Sequence, residues 1–438
     1  MKFQAPRGMR DYYPEVMAVR NWITQHWHRV SQRNGFEEYD GPIMEGLDLY
    51  RAKSGEGIVS ELFHFQDRGG REMAIRPEMT PTLARMVAAR ANALRKPIKW
   101  YSVPRLCRAE RPQRGRLREF FQWNIDILGE DDVLADAECI FVAIDFLREV
   151  GLSAKHVVMK ISSRSLLAAV LRANGFVEEQ LEAVYVALDR RDKLSAEEFQ
   201  KTINALGVSS AQRGLLFRLG EAKGPHALNM IEDVVGDDPE GKQQLADLRR
   251  LLELLETMGV GPYCAVDMGV VRGLAYYTGP VFEAFGKTGL QRAILGGGRY
   301  GDLLKTVGGA PMSGTGFGLG DVVIQDLLEE YDLLQLRPRG RTVFVVDADA
   351  KNPELFKRVL NIASELRRRK VTAGYSYRRQ ALGKQLKQAN DRNARRVIIV
   401  EEGTLTDNTV SLKDMRAGTQ RTFPLDTVLD DPFQPFEA

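Results

Sequence analysis

Residues 98–129 read IKWYSVPRLCRAERPQRGRLREFFQWNIDILG, and their pattern decides how the larger part of the chain is read. Apolar and aromatic residues alternate with polar ones on both sides of an arginine-crowded centre, which predicts strand, basic loop, strand. Between Tyr101 and Phe120 stand six arginines (105, 108, 111, 114, 116 and 118) against Glu110 and Glu119, a local charge of +4. The planar guanidinium fork suits carboxylate and phosphate, so an arginine on a strand can fix an anionic ligand while loop arginines meet a larger polyanion. By charge alone, the run reads equally well as a solvated hairpin laced with weak surface ion pairs.

Working outward, residues 14–34 carry apolar positions at helical spacing (Val16, Val19, Trp22, Ile23, Trp27, Val30), and Gly35 closes the helix. ELFHFQDRGGREMAIRPE predicts a hairpin, residues 82–95 a helix, and residues 132–150 an amphipathic helix before the strand KHVVMKISS. From 165 to 258 helix formers dominate, which marks a helical insertion. Strand chemistry returns in YCAVDMGVVRGLAYYTGPVFEAF and LQRAILGGGRYGDLL, and a helix is expected from Asp321. Three divisions follow: a first domain over 1–330, a linker over 331–340 and a small α/β domain over 341–438. In the last, TVFVVDA, PELFKRVLNIASELRRR, VTAGYSY, LGKQLKQAN and RRVIIVEE alternate strand and helix, as in a parallel sheet.

Composition narrows the classes. The 438 residues carry 62 Lys+Arg against 59 Asp+Glu, so near-neutrality argues against a nonspecific nucleic-acid coat. Cys107, Cys139 and Cys264 lack the spacing of a disulfide framework or zinc site, and a reducing, cytoplasmic setting is expected. No run approaches the roughly 18 apolar residues of a membrane span. The histidines at 26, 28, 64, 156 and 226 show no metal-ligand spacing.

Four further stretches bear on chemistry. RPEMTP (76–81) places Glu78 before a helix, where Thr80 is expected to cap it. VVRGLAYYTGPVFE (270–283) joins Arg272 to Tyr276 and Tyr277, although paired tyrosines on a strand are more often packing. LGGGRYGDL (295–303) allows close backbone approach to a ligand but matches neither the P-loop nor the dinucleotide fingerprint. GTGFGLGD (314–321) allows a strand and helix to pack tightly against a flat ligand.

In this order the stretches resemble the class II aminoacyl-tRNA synthetases, and the histidyl-tRNA synthetases among them, over nearly the whole chain. GFEEYDGPIME, with Pro42, resembles motif 1; RAERPQRGRLREFFQ, with Arg108 and Glu110, resembles motif 2; GTGFGLGD stands where motif 3 belongs. RPEMTP and VVRGLAYYTG resemble the signatures of the histidine branch. The resemblance implies an α+β fold: an antiparallel-sheet catalytic core with a helical insertion, followed by an α/β anticodon-binding domain. It implies activation of L-histidine by ATP with Mg²⁺, transfer to the 3′ end of tRNA-His, and a homodimer.

By motif match, Arg108 and Arg272 would be the catalytic cations. Glu78, Met79, Thr80, Gln122, Asp126, Tyr276, Tyr277 and Tyr300 would bind histidine. Gln122 and Asp126, four apart on a strand, share a face. Glu110, Arg111, Arg116, Phe120, Gly318 and Gly320 would join Arg108 on ATP, and Arg114, Lys384, Lys387 and Arg395 would meet the tRNA.

Departures are present as well. Val323 stands where motif 3 usually has its arginine, and Arg116 or Arg299 is expected to compensate. Ala275 replaces the acid often found before the tyrosines, and Asp126 replaces a glutamate. A second reading is an inactive paralogue resembling the regulatory subunit of ATP phosphoribosyltransferase. Such proteins generally lack the last domain and degrade the motif 2 arginine. Residues 341–400 carry a net charge of +10 and residues 401–438 one of −5, which predicts a local basic docking region.

Overall fold

A computed structural model describes residues 3–54, 56–191, 194–271, 277–288, 292–301, 303–334 and 342–436. The chain divides into two compact units, Met1–Gln335 and Leu336–Ala438. The first runs α1 (Pro14–Arg33), β1 (Glu37–Glu38), β2 (Met44–Gly46), α2 (Leu47–Ser54), β3 (His64–Gln66), β4 (Glu72–Ile75), α3 (Thr80–Ala88), β5 (Ile98–Ser102), β6 (Arg105–Cys107), β7 (Glu119–Leu128), α4 (Leu134–Glu149) and β8 (Val157–Ser163). Helices α5 (Arg164–Ala173), α6 (Glu178–Asp189), α7 (Ala196–Asn204), α8 (Ser210–Glu221), α9 (Ala227–Val235) and α10 (Pro239–Thr257) follow. The unit closes with β9 (Cys264–Val266), β10 (Tyr277–Gly286), β11 (Ala293–Tyr300), α11 (Leu303–Thr306), β12 (Gly314–Gly320) and α12 (Asp321–Glu330).

Its main sheet has the order β1-β5-β7-β12-β11-β10-β8-β9, with β6 also on β7. The inner pairs are antiparallel, and β1 and β9 join the edges in parallel. Parallel β8 and β9 need a long crossover, and the helical insertion supplies it. The insertion is not a separate body: Leu167, Leu171, Leu248 and Leu255 share one apolar core with the sheet and α4.

The sheet's two faces follow from alternation along β7. Trp123, Ile125 and Ile127 are buried against α1 and α4. There the Trp123 ring lies 5.4 Å from Phe146 and 5.1 Å from Phe317, both edge to face. Between them, Gln122, Asn124 and Asp126 turn to the opposite face. The expected hairpin forms as β3 and β4, joined by β2 in a small three-stranded sheet.

Helix α1 is also tied to α4 through charge. Glu149 accepts hydrogen bonds from Arg33 (2.6 Å) and Arg29 (2.8 Å) and lies 3.2 Å from His26 Nδ1. The Arg33 bond is the main cause that pulls the Glu149 carboxyl down to about 2, against the opposing effect of burial. Burial holds His26 below its usual value despite the carboxylate beside it. Because the folded-state value of Glu149 lies below its ordinary 4.5, its contribution is complete above that pH and is lost as pH falls toward 2. Glu149→Gln is therefore expected to cost about 2 kcal/mol at neutral pH, after allowance for partial exposure, and little near pH 2. Chemical denaturation of both proteins across that range measures the convergence.

The second unit contains β13 (Thr342–Asp347), α13 (Pro353–Arg368), β14 (Thr372–Tyr375), α14 (Leu382–Asp391), β15 (Arg396–Val400), α15 (Glu402–Thr406), β16 (Thr409–Asp414), β17 (Gln420–Pro424) and α16 (Leu425–Asp430). Its order is β14-β13-β15-β16-β17. The first three strands are parallel as expected, but β16 and β17 extend the sheet antiparallel.

Of the expected linker, Tyr331, Leu333 and Leu334 belong to the first unit and pack on its core, and residues 335–341 lie outside the described residues.

Candidate active site

The polar face of the main sheet floors a narrow cleft, part of it open to solvent. From β7 come Gln122, Asn124 and Asp126; from β12 come Gly316, Phe317 and Gly318. Gly316 is paired with Asp126 and Gly318 with Asn124. A Cβ at Gly316 would stand 2.5 Å from Asp126 Oδ1, and one at Gly318 would stand 2.8 Å from the Gln122 side-chain amide. Glycine at both positions lets β12 pass beneath those polar side chains.

Tyr277 at the start of β10 and Tyr300 at the end of β11 are register partners and wall one side. The Tyr300 hydroxyl donates to Asp126 Oδ1 at 2.6 Å, and both residues are buried. Burial first, and then the Asp126 charge, pushes the Tyr300 phenol well above its ordinary value, so it stays a neutral donor.

Glu78, Thr80 and Arg108 form the other side. Their placement comes from Arg76, which is buried and donates to Asp40 (2.6 Å), the Gly41 carbonyl (2.9 Å) and the Arg105 carbonyl (3.1 Å). Those bonds join RPEMTP to the segment around Pro42 and to β6. Arg108 donates through Nε to the Pro77 carbonyl at 3.2 Å and lies 5.2 Å from the Phe120 ring centre. Among the described residues, the cleft thus brings one cation, Arg108, together with the carboxylates Glu78 and Asp126.

Two expectations about RPEMTP are corrected. Met79 is fully buried with Leu83, Tyr277 and Tyr300, so it anchors the segment rather than lining the cleft. Thr80 lines the cleft as the first residue of α3 but does not cap it; Met79 holds the N-cap position, and no side-chain bond is made there.

In the basic loop, Gln113 and Arg116 pair through their backbones, and Gly115 supplies the positive φ of the turn. Glu110 and Arg116, both expected on ATP, form an ion pair with each other. Arg111 and Arg114 are exposed. Phe120 is half-buried on β7, and Gly320 pairs with Gln122 and precedes α12. Arg272, Ala275 and Tyr276 lie outside the described residues.

Arg299 does not replace the missing motif 3 cation. It is buried and donates to Asp136 (2.6 and 2.9 Å), the Glu130 and Asp132 carbonyls (2.9 Å each) and Ser313 (2.6 Å). Those bonds lock β11 to the start of α4. Val323 packs against the main core.

Several residues at or beside the site were missed. Asn124 belongs to the same alternation as Gln122 and Asp126, and that period of two could have found it. Arg10 carried no comparable signal: it donates to Asp321 at 2.6 Å, while Asp321 accepts from the Phe121 amide at 2.9 Å. The N-terminal segment is thereby tied to β7 and α12.

The second unit contains three of the four cations expected on tRNA. Lys384 and Lys387 are exposed on α14, after the carboxyl end of β14. Arg395 precedes parallel β15 at the opposite ends of the strands, so the structure does not bring it beside the lysines. Its neighbour Arg396 is no part of a basic surface: it is buried, paired with Asp414, and donates to the Phe433 carbonyl.

Among the described residues no group of three His, Cys, Asp or Glu could hold a metal ion, and no helix is long and apolar enough to cross a membrane.

The chain is similar to known proteins in sequence and in fold. Residues 8–321 match the family model for histidyl-tRNA synthetase, and residues 342–431 match that for an anticodon binding domain. The histidine–tRNA ligase of Opitutus terrae is 39% identical over 434 residues, spanning 97% of each chain. The fold is that of the histidyl-tRNA synthetase from Nostoc sp. PCC 7120, with a TM-score of 0.82 at 21% identity and full coverage of both chains. It is shared by a Bacillus halodurans protein described as an ATP phosphoribosyltransferase regulatory subunit/histidyl-tRNA synthetase, with a TM-score of 0.75 at 24% identity over 92% of this chain and 99% of that one. On the strength of a catalytic-domain match and a relative spanning nearly its full length, the chain belongs to the histidyl-tRNA synthetase family.

Proposed function

We propose that the cleft is the adenylate-forming site of a histidine–tRNA ligase. The histidine carboxylate attacks the α-phosphorus of ATP in line, and pyrophosphate leaves. The terminal ribose hydroxyl of tRNA-His then attacks the adenylate carbonyl, and AMP leaves. Positioning and charge neutralisation do most of this work. The observation that carries the reading is the buried Tyr300–Asp126 pair lining one cleft with Arg108, Glu78 and the close-approach glycines of β12.

Arg108 bridges the histidine carboxylate and the α-phosphate, with Arg272 as the second cation. Glu78 and Thr80 meet the substrate ammonium. Gln122, Asp126, Tyr277 and Tyr300 receive the imidazole, enclosed further by Tyr276. Phe120 with Gly318 and Gly320 holds the adenine, beside Glu110 and Arg111. A magnesium ion would arrive with ATP and be held mainly by its phosphate oxygens. Arg114 meets the acceptor end of the tRNA, and Lys384 and Lys387 its anticodon arm.

With Arg299 engaged in structure and Val323 apolar, Arg116 is the loop cation assigned to the triphosphate. ATP would exchange its pairing with Glu110 for phosphate oxygens. Arg116→Ala is expected to raise the KM for ATP about tenfold, the worth of one exposed charge-assisted contact. An unchanged KM would leave the arginine as a partner for Glu110 alone.

Ile43 and, on the small sheet that follows it, Met44 and Phe65 are exposed, an apolar surface suited to a homodimer. Sedimentation as a monomer at micromolar concentration would contradict the dimer. ATP, tRNA and free thiols at Cys107, Cys139 and Cys264 fit work in the cytoplasm.

The function is tested by charging a tRNA-His transcript with labelled histidine and ATP. Histidine binding with no charging would favour the regulatory reading instead, against which Arg108, Glu110 and the second unit now weigh.

A further inference from the structure

We propose that Tyr377 is a stacking platform for one unpaired base of the tRNA anticodon loop. The proposal rests on reading the second unit as the part that binds the anticodon, and it assigns that unit's point of base contact.

The chain crosses from β13 to β14 on one side and then to β15 on the other. In open α/β sheets such a reversal leaves a crevice at the carboxyl ends of the strands, and ligands bind there. By strand order that crevice lies between β13 and β15, and the loop 376–381 after β14 stands at the same carboxyl end of the sheet, tied to Asp347 of β13. Tyr377 in this loop is 77% exposed, its ring 5.4 Å from that of Tyr375.

The loop is held, not loose. Ser376 is buried and donates to the Arg378 carbonyl at 2.7 Å. Gln385 is buried and donates to the Gln380 carbonyl (2.7 Å), Asp347 Oδ1 (2.9 Å) and the Asp347 carbonyl (3.2 Å). Arg379 donates to the Asn352 carbonyl at 2.8 Å, bridging to the loop after β13, and lies 5.5 Å from the Phe356 ring centre. These anchors fix the loop with Tyr377 projecting into solvent.

Arg378 and Arg379, next to it in the chain, and Lys384 and Lys387, on the helix that follows, are exposed and bring positive charge to this end of the sheet. An aromatic face within a basic rim matches the chemistry of single-stranded RNA, whose splayed bases stack while the cations meet phosphate. A folded duplex offers no such base face. An acidic peptide would use the cations and leave the ring idle.

Full-length protein and a tRNA-His transcript test the assignment. Tyr377→Ala should raise the Kd and the KM for tRNA roughly 10- to 100-fold, as expected for the loss of one stacked base. Histidine-dependent pyrophosphate exchange, which needs no tRNA, should stay unchanged. Tyr377→Phe and Tyr377→Trp should restore tRNA binding to within about twofold, since every aromatic offers a π-face. The slope of log Kd against log salt should be that of wild type, whereas Lys384→Ala should reduce it by about one. A minihelix lacking the anticodon arm should be charged equally by wild type and Tyr377→Ala.

An unaltered tRNA KM in Tyr377→Ala, no rescue by Phe or Trp, or an equal loss on the minihelix would overturn the platform while leaving the synthetase reading intact. Failure of the wild-type protein to charge tRNA would overturn both.

Discussion

Arg108→Ala is expected to lower the rate of histidine-dependent pyrophosphate exchange by about 10²- to 10³-fold, the range seen when one preorganised charge-stabilising donor is removed. Thermal unfolding should barely move. Among the described residues the Arg108 side chain touches the fold through one hydrogen bond to the Pro77 carbonyl and the face of Phe120, and it lines the open cleft. Arg108→Lys separates charge from shape. Lysine keeps the charge but lacks the planar fork that spans a carboxylate and a phosphate, so most of the loss should remain. A loss of less than about tenfold in the alanine variant would show that another group carries the α-phosphate.

Asp126→Asn is expected to raise the KM for histidine about 10- to 100-fold, with a smaller change in kcat, because it removes a buried charged acceptor for the imidazole N–H. The amide oxygen can still accept from Tyr300, so the pocket keeps its shape. Tyr300→Phe makes the converse change and leaves the carboxylate without its phenol donor. The Tyr300 phenol is raised far above the physiological range and stays protonated there. Its titration therefore adds no pH dependence to histidine binding between about pH 6 and 9. If the KM for histidine rose with pH in wild type and not in Tyr300→Phe, the phenol would be titrating and its assigned role would be wrong.

Much of this arrangement is written in local patterns. The run FFQWNIDIL displays its two faces by strict alternation, and the register with the glycines of β12 follows once both strands lie in one sheet. Helix α1, the hairpin and the helical insertion also announce themselves by period and caps. Other features depend on tertiary partners. Met79 looks like its neighbours Glu78 and Thr80 in a motif, yet the turn into α3 points it into the core. Arg299 looks like a spare cation until Asp136, Glu130 and Asp132, far away in sequence, are found around it. Arg396 is hidden in the same way by Asp414. Strand β17 is short and mostly exposed, ends in Pro424, and shows little of the alternation of a buried strand. The antiparallel extension was missed for that reason.

Charge tells the same story at a larger scale. The near-zero total hides a basic motif 2 loop and a basic stretch in the second unit. Within that stretch, several arginines serve the fold. Arg367 lies 5.2 Å from the Tyr375 ring centre, and Arg369 pairs with Glu365 and Asp430. The cations left exposed near β14 and α14 are the ones that border Tyr377.

Pyrophosphate exchange measured separately with each of the twenty amino acids tests the adenylate site most directly. Label should enter ATP with histidine, and Arg108→Ala should abolish nearly all of it. Exchange driven by a different amino acid, or by none, would contradict the assignment of Asp126, Tyr300 and Glu78 as a histidine pocket beside an adenylate-forming cation.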